Sequence, residues 1–504
     1  MGSRARGPVG GARYHHGGMR RRLRPIVLLA AAMTSACAGG SADDSARPTT
    51  TTVATTTTST TVIASTAPPT SAATTVAEPP PFAAPSCPPI PARVAPPPDR
   101  PRYQLRIDVR PADNVVEGEV KVRFIPDLPT DRLVFRLWPN GPRAARVGAR
   151  LDVGAVSIDG AAADARVDEA TTLVVRRGGG GSLAAGRPVD VAVAWRLTLP
   201  GPVNDRISRS GDAVRLGSFF PILAWEPGVG WATDPPTSGF AEASTAAAAD
   251  FTATVTVPTG LGVMATGVTD GNGRWTASNV GDFALSVGRF TTATATANAP
   301  QPVQVAVGVH EGTGGAPGDY LPRVVRSIED MARRYGAYPW PSYSLAITPA
   351  LSGGIEYPMH VFQGPGTTTR TTPHEVAHMW FYGLVANNQG RDPWLDEGLA
   401  SFAEARFDNT LSAFKARSIP AVGRNRTGES MAFWESRSAA YYRSVYTQGA
   451  QALAALGDPE LVDCVLAQYV ARHAYQVARP ADFIAAASAV FPDAPATLAH
   501  YGIR

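Results

Sequence analysis

The chain has 504 residues, 44% hydrophobic and 17% charged, which is enough apolar material for more than one folded domain. Its formal charge of +4 misleads, because residues 1–36 hold seven arginines and no acid. The rest carries 39 basic against 42 acidic side chains, a net of −3, so a nucleic-acid partner has no electrostatic support.

In chain order, the leader comes first. From Met19, the expected true start, MRRRLRPIVLLAAAMTSAC joins a cationic stretch to a short apolar run. That run is too brief to cross a bilayer and reads as the core of a signal peptide within residues 1–36. Cys37 follows Thr34, Ser35 and Ala36, an approach similar to the lipobox of bacterial lipoproteins, with Thr34 where leucine is usual. A lipid on Cys37 would anchor the exported protein at the outer face of the cytoplasmic membrane. Ordinary cleavage nearby would release it. Beyond the cysteine, stretches such as TTTTVATTTTSTTV bury nothing, so residues 37–100 are expected to form a disordered stalk. Two cysteines remain, Cys87 and Cys464. An oxidising compartment permits one disulfide between them. Against it, Cys87 lies in a proline-rich stretch, and Cys464, at helical spacing from Leu461, is more often a plain core position.

From Tyr103 the pattern turns two-residue periodic. LRIDVR, VKVRF, RLVFRLW, FTATVTV, FALSVGRF and VQVAVGV alternate apolar and polar side chains between turn residues, and RRGGGGSL is a loop among them. Residues 101–308 therefore read as a mainly antiparallel β domain. The period then changes. Leu321, Val324, Val325, Ile328, Met331, Ala332 and Tyr335 recur at i, i+3, i+4, i+7, the stripe of an amphipathic helix over 319–335. SYSLAITPA is a further strand, and from about residue 395 the chain is mostly helical. Residues 309–504 form the second expected domain, and the fold class is α+β.

TTPHEVAHMWFYG, residues 371–383, sets two histidines four apart on one helical face, roughly 6 Å from each other. His374 and His378 can both reach a single zinc ion. Glu375, turned about 100° away, suits a general base better than a ligand. A competing reading makes Thr372 the helix cap, Pro373 the first helical residue and Glu375 the far half of a capping box. A helix that begins earlier, near Thr369, frees the carboxylate. In WLDEGLASFAEA, residues 394–405, Glu397 follows His378 after eighteen intervening residues and is the candidate third ligand, which leaves a fourth position for water. Asp396 fits better as a helix N-terminal carboxylate facing the macrodipole. Ser401 and Glu404 are candidates to orient the rings from behind.

With these residues in place the sequence resembles the gluzincin aminopeptidases typified by aminopeptidase N, whose signature is HExxH, eighteen residues, then Glu. The flanks Trp380, Gly383, Trp394, Gly398 and Ala400 belong to the match, as does YGAYPWP at 335–341. SGGIEYP, residues 352–358, is similar to the family's Gly-Ala-Met-Glu-Asn segment, and VYTQGAQAL, residues 445–453, to its Tyr-x-x-Gly-Ala segment. The resemblance runs from about Tyr103 to about residue 460. It implies a β domain followed by a thermolysin-like domain, α/β and then helical, with one Zn²⁺ on His374, His378 and Glu397. It makes Glu375 the catalytic base. Gly353, Gly354 and Glu356 become the substrate-binding segment, with Glu356 on the free α-amine, and Tyr446 stabilises the oxyanion. Taken alone, Glu356 reads as a surface carboxylate in a glycine-rich turn, and Tyr446 competes with Tyr441 and Tyr442 as a core aromatic.

Two departures stand out. Tyr357 replaces the family's asparagine, and only 58 residues follow Tyr446, so a long helical cover over the cleft is not expected. The leading expectation is a lipid-anchored zinc aminopeptidase of the cell envelope that acts on peptides. An endopeptidase or broad-specificity peptidase on the same zinc, and a non-catalytic peptide-binding lipoprotein, stay open beside it.

Overall fold

The period-2 sequences become strands. In the computed structural model, which describes residues 85–239 and 247–504, Arg102–Arg110 pairs antiparallel with Val115–Phe124, and that strand with Val189–Thr198. An eleven-stranded sheet grows from this centre. Leu105 stands opposite Val120, and Val120 opposite Val193. Tyr103, Leu105, Ile107 and Val109 are buried while Gln104 and Arg106 face out, as the pleat requires. One pairing is parallel, Arg102–Arg110 with Ala249–Thr256; every other neighbour in this sheet is antiparallel. A second, four-stranded sheet orders Gly262–Ala265, Leu285–Gly288, Ala213–Leu216 and Ile207–Ser210.

A third sheet corrects the expected domain boundary. Position 308/309 falls inside the strand Pro302–His310. This strand pairs antiparallel with Phe290–Asn298 and parallel with Ser342–Ile347, so both earlier strands belong to the second half of the molecule. The change-over lies between Gly288 and Phe290. Alternation is the same on both sides of it, and only long-range pairing tells the sheets apart. His360–Gln363 continues the sheet in parallel, and Gly354–Tyr357 closes it as an antiparallel edge strand. The helix Pro317–Tyr335 makes the crossover, with Val324, Ile328, Met331 and Tyr335 buried as the stripe foretold. Helices then dominate, chiefly Trp394–Phe407, Gln448–Ala454 and Pro459–His473.

The expected leader, the Cys37 anchor and the stalk up to residue 84 lie outside the described residues. The last part of the expected stalk, however, is docked. Cys87 and Cys464 form a disulfide, which resolves the alternative left open by sequence. Gln468 Nε2 donates to the carbonyls of Pro88 and Pro89, and the Val94 N–H to Ala471 O at 2.9 Å. A proline-rich strap has few groups with which to build a core, yet its carbonyls are available to a helix beside it. The bond joins residues 377 apart and so encircles both halves. Cys87→Ser is expected to cost about 2–5 kcal/mol of stability. Thermal melts of oxidised wild type and variant check this; an unchanged Tm would show that the strap holds without its covalent link.

Candidate metal centre

Two helices and one edge strand bring the site together. The helix Thr371–Ala377 carries His374 and Glu375, with His378 as its C-terminal cap. The capping box is overturned: the helix starts at Thr371, and Thr372 Oγ1 donates to Gln363 Oε1 at 3.1 Å instead of closing the helix end. Glu375 is thereby released. The helix Trp394–Phe407 returns to present Glu397. This approach depends on Gly398 and Gly449, where two helices meet so closely that a Cβ on Gly449 would lie 2.7 Å from Gly398 Cα.

Glu397 Oε2 lies 3.1 Å from His374 Nε2 and 3.4 Å from His378 Nε2, and the two nitrogens are 3.2 Å apart. A tetrahedral ion with bonds of about 2.0–2.1 Å needs ligand atoms about 3.3 Å from one another, so this triangle is one face of a zinc site. Carboxylates stand close to the opposite ring nitrogens. His374 Nδ1 faces Glu404 Oε2 at 3.3 Å, and His378 Nδ1 faces Asp396 Oδ1 at 2.6 Å, with Phe381 O at 3.2 Å. A proton on each Nδ1 would leave both Nε2 lone pairs for a metal. Glu404, one of the two sequence candidates, is the carboxylate that stands behind His374, and it also pairs with Arg370. Asp396, read from sequence as a dipole partner, orients the second ring, a role for which Ser401 was the other candidate.

Charge makes the same case. Glu356, Glu375, Asp396, Glu397 and Glu404 are all buried around two imidazoles. Burial pushes Glu375 up to about 7 and Glu356 up to about 8. Burial acts the same way on Glu397, but hydrogen bonds from both histidines bring it down to about 2. Burial disfavours the charged His374, yet bonds to Glu397 and Glu404 carry it up to about 10. Arg370 pairs with Glu404 at the rim of this cluster, and the carboxyls that burial makes costly to ionise are ones a divalent cation would favour in their charged form. Glu375 Oε2 is buried with no hydrogen-bond partner among the described residues.

The remaining candidates converge here. Gly354 packs against Glu375: a Cβ there would lie 2.3 Å from Glu375 Cδ, so only glycine fits. Gly353 has φ +88°, a conformation glycine adopts without strain. Glu356 groups with Glu375 and His378, their polar atoms all within 4.8 Å of one another. Tyr446 stacks on the His374 ring at 5.6 Å and donates its hydroxyl to Glu397 Oε1. Of its competitors, Tyr441 is buried edge-on to Tyr446 and Tyr442 is about half exposed. Tyr357 points away from Glu356, into the N-terminal half, where its hydroxyl meets Arg206 Nη1 at 3.3 Å.

The family model described as the Peptidase family M1 domain matches residues 365–493, a span that contains the three ligands, Glu375 and Tyr446. Over that span the chain is similar to the M1 peptidases. Among curated relatives, leukotriene A-4 hydrolase of Xenopus laevis is 31% identical over 109 residues, and aminopeptidase B of Rattus norvegicus is 32% identical over 85. These stretches cover 20% and 15% of this chain, but only 17% and 13% of the relatives' lengths. The M1 zinc metallopeptidase of Deinococcus radiodurans shares the fold with a TM-score of 0.60 at 21% identity, covering 81% of this chain and 94% of that one. Zinc is the cofactor that His374, His378 and Glu397 fit. Asp396→Ala should weaken zinc binding about 10- to 100-fold without removing a ligand. A competitive chelator titration reads this, and undiminished affinity would mean that Asp396 does not orient His378.

Proposed function

We propose that this chain is a zinc-dependent aminopeptidase that releases N-terminal residues from peptides. The observation that supports this most is the place of Glu356. Its carboxylate, within 4.8 Å of a Glu375 oxygen and a His378 nitrogen, leaves room for about one residue, since Cα atoms lie about 3.8 Å apart along a chain. An arriving ammonium would favour the charged form of this buried carboxyl. The strand Gly354–Tyr357 pairs on one side only among the described residues, and an extended peptide could lie along the other.

His374, His378 and Glu397 would hold the zinc, whose Lewis acidity would bring the pKa of a bound water toward about 7. Glu375 takes a proton from the water whose oxygen bonds to the scissile carbonyl carbon, and returns it to the leaving amine as the C–N bond breaks. Tyr446 gives its hydroxyl hydrogen bond to the oxygen that gains negative charge. Glu356 holds the N-terminus so that the first peptide bond is the one presented.

Hydrolysis of an aminoacyl-anilide, with and without a chelator, tests the zinc chemistry. Acetylating the substrate's α-amine is expected to abolish turnover. Undiminished cleavage of the acetylated peptide would favour an endopeptidase, and a zinc-loaded protein inert to both would favour a peptide-binding role. We also assign the protein to the cell envelope, anchored by lipid at Cys37. The cationic and apolar leader supports this, as does the disulfide, which belongs to an oxidising compartment.

A further inference from the structure

Arg215 is an unusual residue for the middle of a protein. It sits on the strand Ala213–Leu216 with 2% of its surface exposed, and it makes no hydrogen bond to a carboxylate among the described residues. Its guanidinium instead joins two segments. On the N-terminal side, Nε donates to Asp205 O and Nη2 to Val203 O, both at 2.8 Å. On the catalytic side, Nη1 donates to Thr348 Oγ1 at 2.8 Å and Pro349 O at 3.0 Å, and Nη2 reaches Ala350 O at 3.4 Å. A buried cation is costly, and only a planar fork of five donors satisfies this set of oxygens.

The segment it holds leads directly to Glu356. Ala350 has φ +56°, a left-handed conformation that a non-glycine residue keeps only when its surroundings impose it. Two residues on, Asn204 grips Ser352 twice: Nδ2 donates to Ser352 Oγ at 2.8 Å, and Oδ1 accepts from the Ser352 N–H at 2.9 Å. At the far end Tyr357 fills the space over Gly217, where a Cβ would lie 2.1 Å from its hydroxyl. The run 348–357 thus hangs from the N-terminal half at three points, and Glu356 projects from it toward the metal centre.

We propose that Arg215, together with Asn204, is a positioning residue that sets the place of Glu356 and so makes the N-terminal half a determinant of α-amine recognition. This rests on the aminopeptidase reading. The contrary reading is that Arg215 merely welds two halves together. Coupling to Glu356 separates the two, because a weld has no reason to lose its effect when the amine ligand is gone.

The test uses zinc-loaded full chain, with Arg215→Met, Arg215→Lys and Asn204→Ala each made alone and with Glu356→Gln. Two readouts are taken: KM and kcat on leucyl-anilide, and the preference in Kd for L-leucinamide over N-acetyl-L-leucinamide. Arg215→Met is expected to raise KM about tenfold and Asn204→Ala about threefold, with kcat within about threefold and zinc content unchanged. Arg215→Lys should not rescue, since one ammonium cannot reach both segments. In the Glu356→Gln background the same substitutions should shift KM and the Kd preference by less than about twofold. Equal effects in both backgrounds, or none in either, would overturn the proposal. Should Arg215→Met fail to fold, Asn204→Ala decides, because it leaves the buried fork intact. If the wild type turns over no free-amine substrate, the aminopeptidase reading falls, and the Kd preference, which needs no turnover, still decides the role of Arg215 and Asn204.

Discussion

Glu375→Gln is expected to lower kcat on a free-amine anilide about 10³- to 10⁴-fold while zinc content stays unchanged. Glutamine fills the same volume, which matters where Gly354 leaves Glu375 so little room. It cannot accept a proton, and that is the one property the site asks of this side chain. The triangle of nitrogen and oxygen atoms that fits zinc is drawn by His374, His378 and Glu397, without Glu375. Burial brings the carboxyl up to about 7, close to the working pH, where a general base is most effective. Steady-state kinetics beside metal analysis checks the prediction. A zinc-loaded variant within about tenfold of wild type would mean that another group takes the proton. Loss of the metal would make Glu375 a ligand.

Much of this site is legible in the sequence. Helical spacing puts His374 and His378 on one face, and a single carboxylate after eighteen intervening residues completes the set. The two neighbours that orient the rings are harder to read. Asp396 and Glu397 are adjacent on one helix, about 100° apart, so one metal face accommodates only one of them. Spacing goes no further than that, although an imidazole has two nitrogens on opposite sides and the second needs a partner of its own. An acidic pair at this point in the motif is the available signal. Gly398 and Gly449 stand in the sequence only as motif letters, whereas their physical role, letting two helices touch backbone to backbone, requires knowing which helices meet. The same limit hides the domain boundary, the docked strap at 85–100 and the Arg215 junction. Each is a pairing between distant segments, and periodicity along the chain carries no information about such partners.

Tyr446→Phe is expected to lower kcat about 10²- to 10³-fold, the usual effect of removing one donor from a developing oxyanion, with KM within a few-fold and zinc retained. Sequence leaves three tyrosines in contention, and a local irregularity decides among them. Arg443–Thr447 is a π-helical turn, wider than an α-helix, and such turns recur at functional sites. It turns Tyr446 onto the His374 ring, with its hydroxyl on Glu397, and leaves Tyr441 packed behind it and Tyr442 beside it. Burial, and then the neighbouring Glu397 carboxylate, push the phenol well above its ordinary pKa. Raising its pKa favours the protonated form, so the hydroxyl remains a donor across the whole neutral and mildly alkaline range. The alkaline limb of the pH–rate profile should therefore be the same in Tyr446→Phe and wild type, with only the plateau lowered. A limb that vanished in the variant would show that Tyr446 titrates during turnover and acts as an acid. Tyr441→Phe provides the control: its hydroxyl is buried and touches none of the three ligands, so it should keep kcat within a few-fold. Equal losses in the two variants would mean that packing, not hydrogen-bond donation, explains the effect at Tyr446.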